Sequence, residues 1–176
     1  MRSSSTPSQR SKFIASGARR ERNLLPYSTE RANGVVNKAK VLIVDDDATA
    51  SRLLAVGLEK TGAFQVKVEN ISTNAFATAR AFVPDIILLD VCMPGVDGCD
   101  VAFQIQSDPF LRSIPIVFLT SLVSRNESRM LDGSDYLAKP TNLREVVTCI
   151  DRHLLRRAET ANHNERAQQT DRTRGG

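Results

Sequence analysis

Short apolar segments that end in carboxylates recur along this chain, and they constrain its fold more than any other feature. The run Lys40–Val44 is followed directly by three aspartates, and Asp85–Asp90 carries four consecutive apolar residues before its final aspartate. A short continuous apolar run predicts a strand that is buried on both faces, whereas a surface strand alternates. Each run is therefore predicted to lie inside a sheet, with its polar end at an edge.

Amphipathic segments separate the predicted strands. Apolar residues at spacings of three and four predict a first helix, and Gly62 offers its C-terminal stop. The residues that mark this helix are Ala50, Leu53, Leu54, Gly57 and Leu58. The other predicted elements are a strand over Phe64–Glu69, a helix marked by Ala75, Phe76 and Ala79, a helix marked by Val101, Ala102 and Ile105, strands over Ile116–Leu119 and Tyr136–Ala138, and a last helix marked by Leu143, Val146, Val147, Ile150 and Leu154. Strands that alternate with helices predict right-handed crossovers and one doubly wound α/β domain with a parallel sheet.

Polar side chains fall at the ends of four predicted strands. Asp45 and Asp46 follow the first strand, Asp90 ends the third, Thr120 ends the fourth and Lys139 follows the fifth. In doubly wound sheets the ligand crevice lies beyond the carboxyl ends of the strands. These five side chains are distant in sequence, and we expect them to converge in space.

Three carboxylates in one crevice need a counter-charge, because two unit charges ~4 Å apart interact by roughly 4 kcal/mol at an effective dielectric of 20. Either a carboxyl takes up a proton with a raised pKa or a divalent cation binds, and an all-oxygen ligand set favours Mg²⁺. A carboxylate beside Mg²⁺ can act as a nucleophile towards phosphorus. Lys139 and the Thr120 hydroxyl can then bind the phosphoryl oxygens, which predicts a phosphoryl-accepting site.

Charge divides the 176-residue chain into three parts. Residues 1–38 carry eight basic and two acidic residues, a net of +6, and residues 156–176 carry five and three, a net of +2. Since the whole chain has a net charge of +4, residues 39–155 carry −4, and they hold nearly all the clustered apolar residues. We predict a basic disordered arm over 1–38, a folded domain over 39–155 and a polar disordered tail over 156–176.

Composition also excludes several classes of protein. No segment approaches the roughly 18 apolar residues of a membrane-spanning helix, and no apolar segment follows the basic start as in a secretory signal. The three cysteines show no CxxC spacing, so the pattern suggests neither a disulfide framework nor a zinc site, and a cytoplasmic location is predicted. Cys99 and Cys149 are predicted to be small buried or half-buried residues, and His153 and His163 are assigned no phosphotransfer role.

Residues from about Lys40 to Leu155 resemble the receiver domain of two-component response regulators, which has the flavodoxin-like, CheY-like fold with five βα units and strand order 2-1-3-4-5. The motifs that carry the resemblance are Val44–Asp46, Ile87–Asp90, Met93–Gly95, Asp97–Gly98, Leu119–Ser121 and Asp135–Pro140. The resemblance implies a signalling phosphoacceptor rather than an enzyme, one that catalyses only its own phosphorylation and dephosphorylation.

The same resemblance implies a role for each matching residue. Asp90 would be phosphorylated by a histidine kinase or phosphotransfer protein, Lys139 would bind the phosphoryl group, and Thr120 and Tyr136 would form the switch pair. The Mg²⁺ ligands would be Asp46, Asp90, the main-chain carbonyl of Cys92 and, through water, Asp45. A downstream effector protein is then expected to recognise the switched surface.

Two features depart from the family pattern. The span from Thr120 to Lys139 is about three residues shorter than usual, with the loss near the fourth helix. The side chains two positions beyond Asp90 and Thr120 are Cys92 and Leu122, neither of which suits the orientation of a hydrolytic water, so slow self-dephosphorylation is predicted.

Only 21 polar residues follow Leu155, so a receiver without an output domain is expected.

The basic arm leaves three alternatives open. Its charge could bind nucleic acid with strong salt dependence, although it lacks aromatic residues interleaved with the charge. It could be an organellar transit segment, because it is rich in Arg and Ser and has no acidic residue before Glu21. A start codon assigned too far upstream would leave the arm untranslated.

Overall fold

The computed structural model describes residues 38–121 and 135–172, with side chains as far as Thr160. The strands are β1 (Ala39–Val44), β2 (Phe64–Glu69), β3 (Ile86–Asp90), β4 (Ile116–Thr120) and β5 (Asp135–Ala138). The α-helices are α1 (Ala48–Lys60), α2 (Ala75–Phe82), α3 (Gly98–Ser107) and α4 (Leu143–Arg172), and a short 3-10 helix over Ser72–Asn74 precedes α2. Among the described residues, no helix is both long enough and apolar enough to span a membrane.

All five strands form one parallel sheet in the order β2-β1-β3-β4-β5. This order confirms the doubly wound α/β fold predicted from the sequence. The chain winds outward from β1 to β2, then returns to β3 on the other side of β1 and continues to β5. The strand order therefore reverses direction between β1 and β3, which is where the ligand crevice of such a sheet lies.

Alternate residues of the central strands are buried on opposite faces of the sheet. In β3, Ile86 and Leu88 belong to the apolar cluster that also contains residues of α1 and α4, whereas Ile87 and Leu89 belong to the cluster that contains residues of α2 and α3. Successive side chains of a strand point to opposite faces, so a continuous apolar run fills both layers. The central strands are therefore packed between two apolar layers.

Helix α1 begins at a strong local signal. The Asp47 carboxylate accepts hydrogen bonds from the backbone amides of Thr49 and Ala50, both at 2.9 Å, and so satisfies two amides of the first turn. At the other end Gly62 takes a φ of +79°, the left-handed conformation that glycine adopts most readily. These two residues fix where the chain enters and leaves the helix.

The face of α1 that packs on the sheet differs in part from the one predicted. Ser51, Ala55 and Leu58 are buried, whereas Leu53 is 74% exposed and Ala50 is also exposed. The small residues Ser51 and Ala55 let α1 approach the sheet closely. The spacing of the leucines predicted a different face of the helix, rotated away from the buried one. Ala50, Leu53 and Gly57, which were predicted to face the core, line a surface cleft described below.

Helix α4 continues to Arg172, past the domain boundary predicted at Leu155. The apolar stripe does stop there, because Val146, Ile150 and Leu154 are buried and Leu155 is 40% exposed. Residues 156–172 contain no Gly or Pro and several strong helix formers, so helical propensity extends the helix after its packing face has ended. Residues 156–172 of the predicted disordered tail are therefore helical.

Candidate functional site

The carboxyl ends of four neighbouring strands bring the predicted site residues to one edge of the sheet. Asp45 follows β1, and Asp90 ends β3 beside Leu119 of β4 in the register. Thr120 ends β4 and is the register partner of Ala138, which ends β5. Lys139 therefore follows β5 directly, one position beyond the level of Thr120 at the same edge of the sheet. This parallel register explains why residues up to 94 positions apart in the chain, from 45 to 139, meet in one crevice.

The ammonium group of Lys139 bridges two of the carboxylates. Its Nζ lies 2.8 Å from Oδ2 of Asp45 and 2.7 Å from Oδ2 of Asp90. Asp45 is 2% exposed and Asp90 is 5% exposed, so these charges face one another with little water between them. The contact brings three of the five predicted positions together, namely Asp45, Asp90 and Lys139.

Asp46 completes a group of three carboxylates with Asp45 and Asp90. One oxygen from each lies within 4.8 Å of the others, and Asp46 is exposed while the other two are buried. Three carboxylates and one ammonium leave a net charge of −2 when all are ionised. A divalent cation matches this charge, and the oxygen ligands are those that Mg²⁺ prefers.

Burial and the Lys139 contact act in opposite directions on Asp45. Burial raises the pKa of the Asp45 carboxyl, and the hydrogen bonds from Lys139 and from the amide of Asp47 counteract only part of this effect. Burial alone would lower the pKa of Lys139, but its hydrogen bonds with Asp45 and Asp90 outweigh that effect and raise it. The ammonium form of Lys139 is thus the form that the crevice stabilises.

The loop after β3 approaches Asp90 very closely. The Oδ1 atom of Asp90 accepts a hydrogen bond of 3.2 Å from the amide of Cys92, and the amide of Gly98 donates to the carbonyl of Val91. A Cβ atom at position 98 would overlap the carbonyl oxygen of Asp90. Only glycine therefore fits at position 98, a requirement that the Asp97–Gly98 motif signals by residue type but that the spacing of residues does not explain.

Thr120 and Tyr136 lie on the side of β4 and β5. Thr120 is buried at the strand end, and the ring of Tyr136, which is half-buried, stacks on Phe118 with centroids 5.1 Å apart and planes 20° apart. Phe118 is the direct register partner of Tyr136. The tyrosine ring therefore packs on the strand whose last residue is Thr120.

A cleft of about 600 Å³ opens beside Lys139. Ala50, Leu53 and Gly57 of α1 line one wall, and Pro140 and Leu143 line another. These three residues of the predicted apolar stripe face the cleft, whereas Leu58 of the same stripe is buried in the core. Asp45 and Lys139 also line the cleft, so it connects this end of the carboxylate crevice with the surface.

The structure corrects one cysteine prediction and confirms another. Cys99 is exposed, because it lies in the first turn of α3 on the side away from the core, and Cys92 is also exposed. Cys149 is buried, as predicted. Most of the shortened segment before Tyr136, including Leu122, and residues 1–37 of the basic arm lie outside the described residues.

Comparison with known proteins gives one consistent family. Residues 41–151 match the family model of the response regulator receiver domain. The protein PilH of Pseudomonas aeruginosa is 32% identical over 116 residues, a match that covers 64% of this chain and 95% of PilH. The response regulator PleD of Caulobacter vibrioides is 39% identical over 105 residues, which are 58% of this chain and 23% of PleD. The chain thus spans about a quarter of the length of PleD but nearly all of PilH.

Solved structures agree with the sequence matches. The chemotaxis response regulator CheY4 of Vibrio cholerae superimposes with a TM-score of 0.59 at 26% identity, over 67% of this chain and all of that chain. The superposition therefore extends over about two thirds of this chain rather than over a single motif.

Proposed function

This chain belongs to the response regulator receiver family of two-component signalling, and from that premise we propose that it accepts a phosphoryl group on the carboxylate of Asp90. The observation that carries the proposal is the contact of Lys139 with both Asp45 and Asp90 at the topological switch point. A buried carboxylate held next to a mobile cation and two further carboxylates is suited to attack on phosphorus.

In the proposed reaction, an electron pair on an Asp90 oxygen forms a bond to the phosphorus of a phosphohistidine in the donor protein. The bond between phosphorus and the imidazole nitrogen breaks, and the nitrogen keeps the electron pair. The product is a mixed anhydride on Asp90, so Asp90 acts as a nucleophile in the usual sense of aspartyl-phosphate chemistry.

Lys139 and Thr120 have separate roles in this proposal. The Lys139 ammonium contacts the Asp90 carboxylate in the structure. On phosphorylation it would bind an oxygen of the incoming phosphoryl group and offset the added negative charge. The Thr120 hydroxyl at the end of β4 would donate to another phosphoryl oxygen. Tyr136 would respond to the movement of Thr120, because both lie on the adjacent strands β4 and β5.

The donor set of the crevice fits Mg²⁺. The residues that would hold the ion are Asp46, Asp90 and the main-chain carbonyl of Cys92, with Asp45 acting through water. When bound, Mg²⁺ would neutralise the excess negative charge of the carboxylates and of the incoming phosphoryl group.

The consequence of phosphorylation would be a change of surface rather than turnover of a substrate. A new dianion at a strand end recruits a hydroxyl and can bias a two-state surface. The proposed partners are a histidine kinase or phosphotransfer protein as donor and an effector protein as reader. The reducing, cytoplasmic compartment predicted from three unpaired cysteines is part of the same proposal.

Acetyl phosphate tests the phosphoacceptor assignment directly. The full chain is incubated with Mg²⁺ and acetyl phosphate, and its intact mass is measured. We expect one phosphoryl group on the wild type and on Asp100→Asn, a control that changes an exposed aspartate of α3, and none on Asp90→Asn. Chelation of Mg²⁺ should also prevent the gain. Phosphorylation of Asp90→Asn to the level of the wild type would refute the assignment.

A further inference from the structure

A second cluster of potential ligands lies between β5 and α4, apart from the carboxylate crevice. Asp135 is the first residue of β5, and Cys149 and His153 lie one turn apart on α4. Oδ2 of Asp135 is 2.6 Å from Nε2 of His153 and 3.9 Å from Sγ of Cys149. One oxygen, one nitrogen and one sulfur atom thus point at the same small volume.

These three atoms have the chemistry and spacing of a zinc site. Zn²⁺ is bound by thiolate, imidazole and carboxylate ligands at roughly 2.0–2.3 Å, so two ligands of one tetrahedral ion lie roughly 3–4 Å apart. The three donor atoms here all lie within 4.8 Å of one another. Side-chain shifts of about 1 Å would therefore suffice to coordinate an ion.

Burial and access both suit a small ion. Asp135 is 5% exposed and Cys149 is 3% exposed, whereas the side chain of His153 is 16% exposed. The carboxylate and the thiol are thus held within the surrounding core, and the histidine forms the side of the cluster that solvent reaches. A fourth ligand position would face this side.

The guanidinium group of Arg152 would compete with a metal ion for this volume. Its guanidinium Nη2 lies 2.7 Å from Oδ2 of Asp135 and 3.4 Å from Sγ of Cys149. The arginine side chain is 48% exposed, so its long stem can turn the charged group out to solvent. The cation that now compensates Asp135 is therefore one that a metal ion can replace.

We propose that Asp135, Cys149 and His153 form a binding site for Zn²⁺, with water at the fourth position and with Arg152 displaced when the ion binds. The Cys149 thiol loses its proton to solvent on binding, and His153 binds through Nε2. The site does not depend on phosphorylation of Asp90. A bound ion would tie β5, which carries Tyr136, to α4.

Cobalt reports on the site because a thiolate bound to Co²⁺ gives a charge-transfer absorption in the near ultraviolet. The full chain is titrated with Co²⁺ in saturating Mg²⁺, which keeps the carboxylate crevice occupied. We expect the thiolate band at one equivalent and its loss when Zn²⁺ is added. Cys149→Ser should abolish the band, whereas the matched controls Cys92→Ser and Cys99→Ser should retain it.

Two further variants test the geometry. His153→Gln should weaken Co²⁺ binding by about tenfold or more, and Arg152→Gln should strengthen it because the competing cation is removed. Arg144→Gln, which removes an exposed charge on the same helix, should leave the affinity unchanged. The Arg152 comparison uses a chain with all three ligands intact, so it holds even where a ligand variant fails to fold.

Circular dichroism verifies that each variant is folded. A folded wild-type chain without the thiolate band would overturn the proposal, as would a band that disappears with Cys92→Ser and persists with Cys149→Ser. Either result would leave the phosphoacceptor assignment unaffected, because that assignment is measured on Asp90 by mass.

Discussion

Replacement of Lys139 by Met should destabilise the magnesium-free protein in a pH-dependent way. The substitution removes the ammonium that contacts Asp45 at 2.8 Å and Asp90 at 2.7 Å, and it leaves two nearly buried carboxylates without their cation. Removal of one partner of a buried ion pair costs about 3–5 kcal/mol. Because the Lys139 side chain is 23% exposed, we expect the lower end, about 3 kcal/mol, at about pH 8.

The sign of the pH dependence follows from Asp45. Burial already raises its folded-state pKa above the ordinary value of 3.8, and Lys139 opposes that effect. Without the ammonium the folded-state pKa rises further, so the folded state binds the proton more tightly than the unfolded state. The free energy of unfolding of the variant is therefore greatest in acid. It falls as the pH rises from the pKa of Asp45 in the unfolded state through its higher pKa in the folded state. The difference from the wild type should shrink to about 1 kcal/mol near about pH 4.

Urea unfolding followed by circular dichroism, with a metal chelator present, measures this effect. Lys67→Met provides a matched control, because it removes the same charge from an exposed position on β2 and no ion pair involves Lys67 among the described residues. Saturating Mg²⁺ should restore part of the loss in Lys139→Met and none in the control. The electrostatic account would be refuted if Lys139→Met lost no more free energy of unfolding than Lys67→Met does. It would also be refuted if the loss in Lys139→Met were the same in acid and at neutral pH.

Two structural predictions concern the supports of the site. Gly98→Ala should cost about 3 kcal/mol or more, at the severe end of overpacking, and slow the phosphorylation of Asp90, because its Cβ would overlap the Asp90 carbonyl; thermal unfolding and intact mass measure the two effects. Gly62→Ala is the control, with a cost of only about 1 kcal/mol for its positive φ and no effect on phosphorylation. Asp47→Ala should lower the free energy of unfolding by about 1 kcal/mol through loss of the α1 cap, and Asp47→Asn should recover most of it.

The sequence alone determined the strands, their order of appearance and the edge of the sheet at which the site lies. Short continuous apolar runs that end at polar residues, such as Ile86–Leu89, favour strands buried on both faces of a sheet, and parallel strands bring their carboxyl ends to one edge. The convergence of Asp45, Asp90 and Lys139 follows from that topology, which is why it could be predicted before any coordinates. The position of each polar residue relative to its strand carried this information.

Contacts between elements were decided only by the tertiary structure. The rotation of α1 that exposes Leu53 depends on how close small residues let the helix approach the sheet, and the demand for glycine at position 98 depends on a loop folding back onto Asp90. The grouping of Asp135 with Cys149 and His153 depends on the register of α4 against β5. Periodicity specifies which residues share a face, but only packing specifies which face meets which neighbour and at what distance.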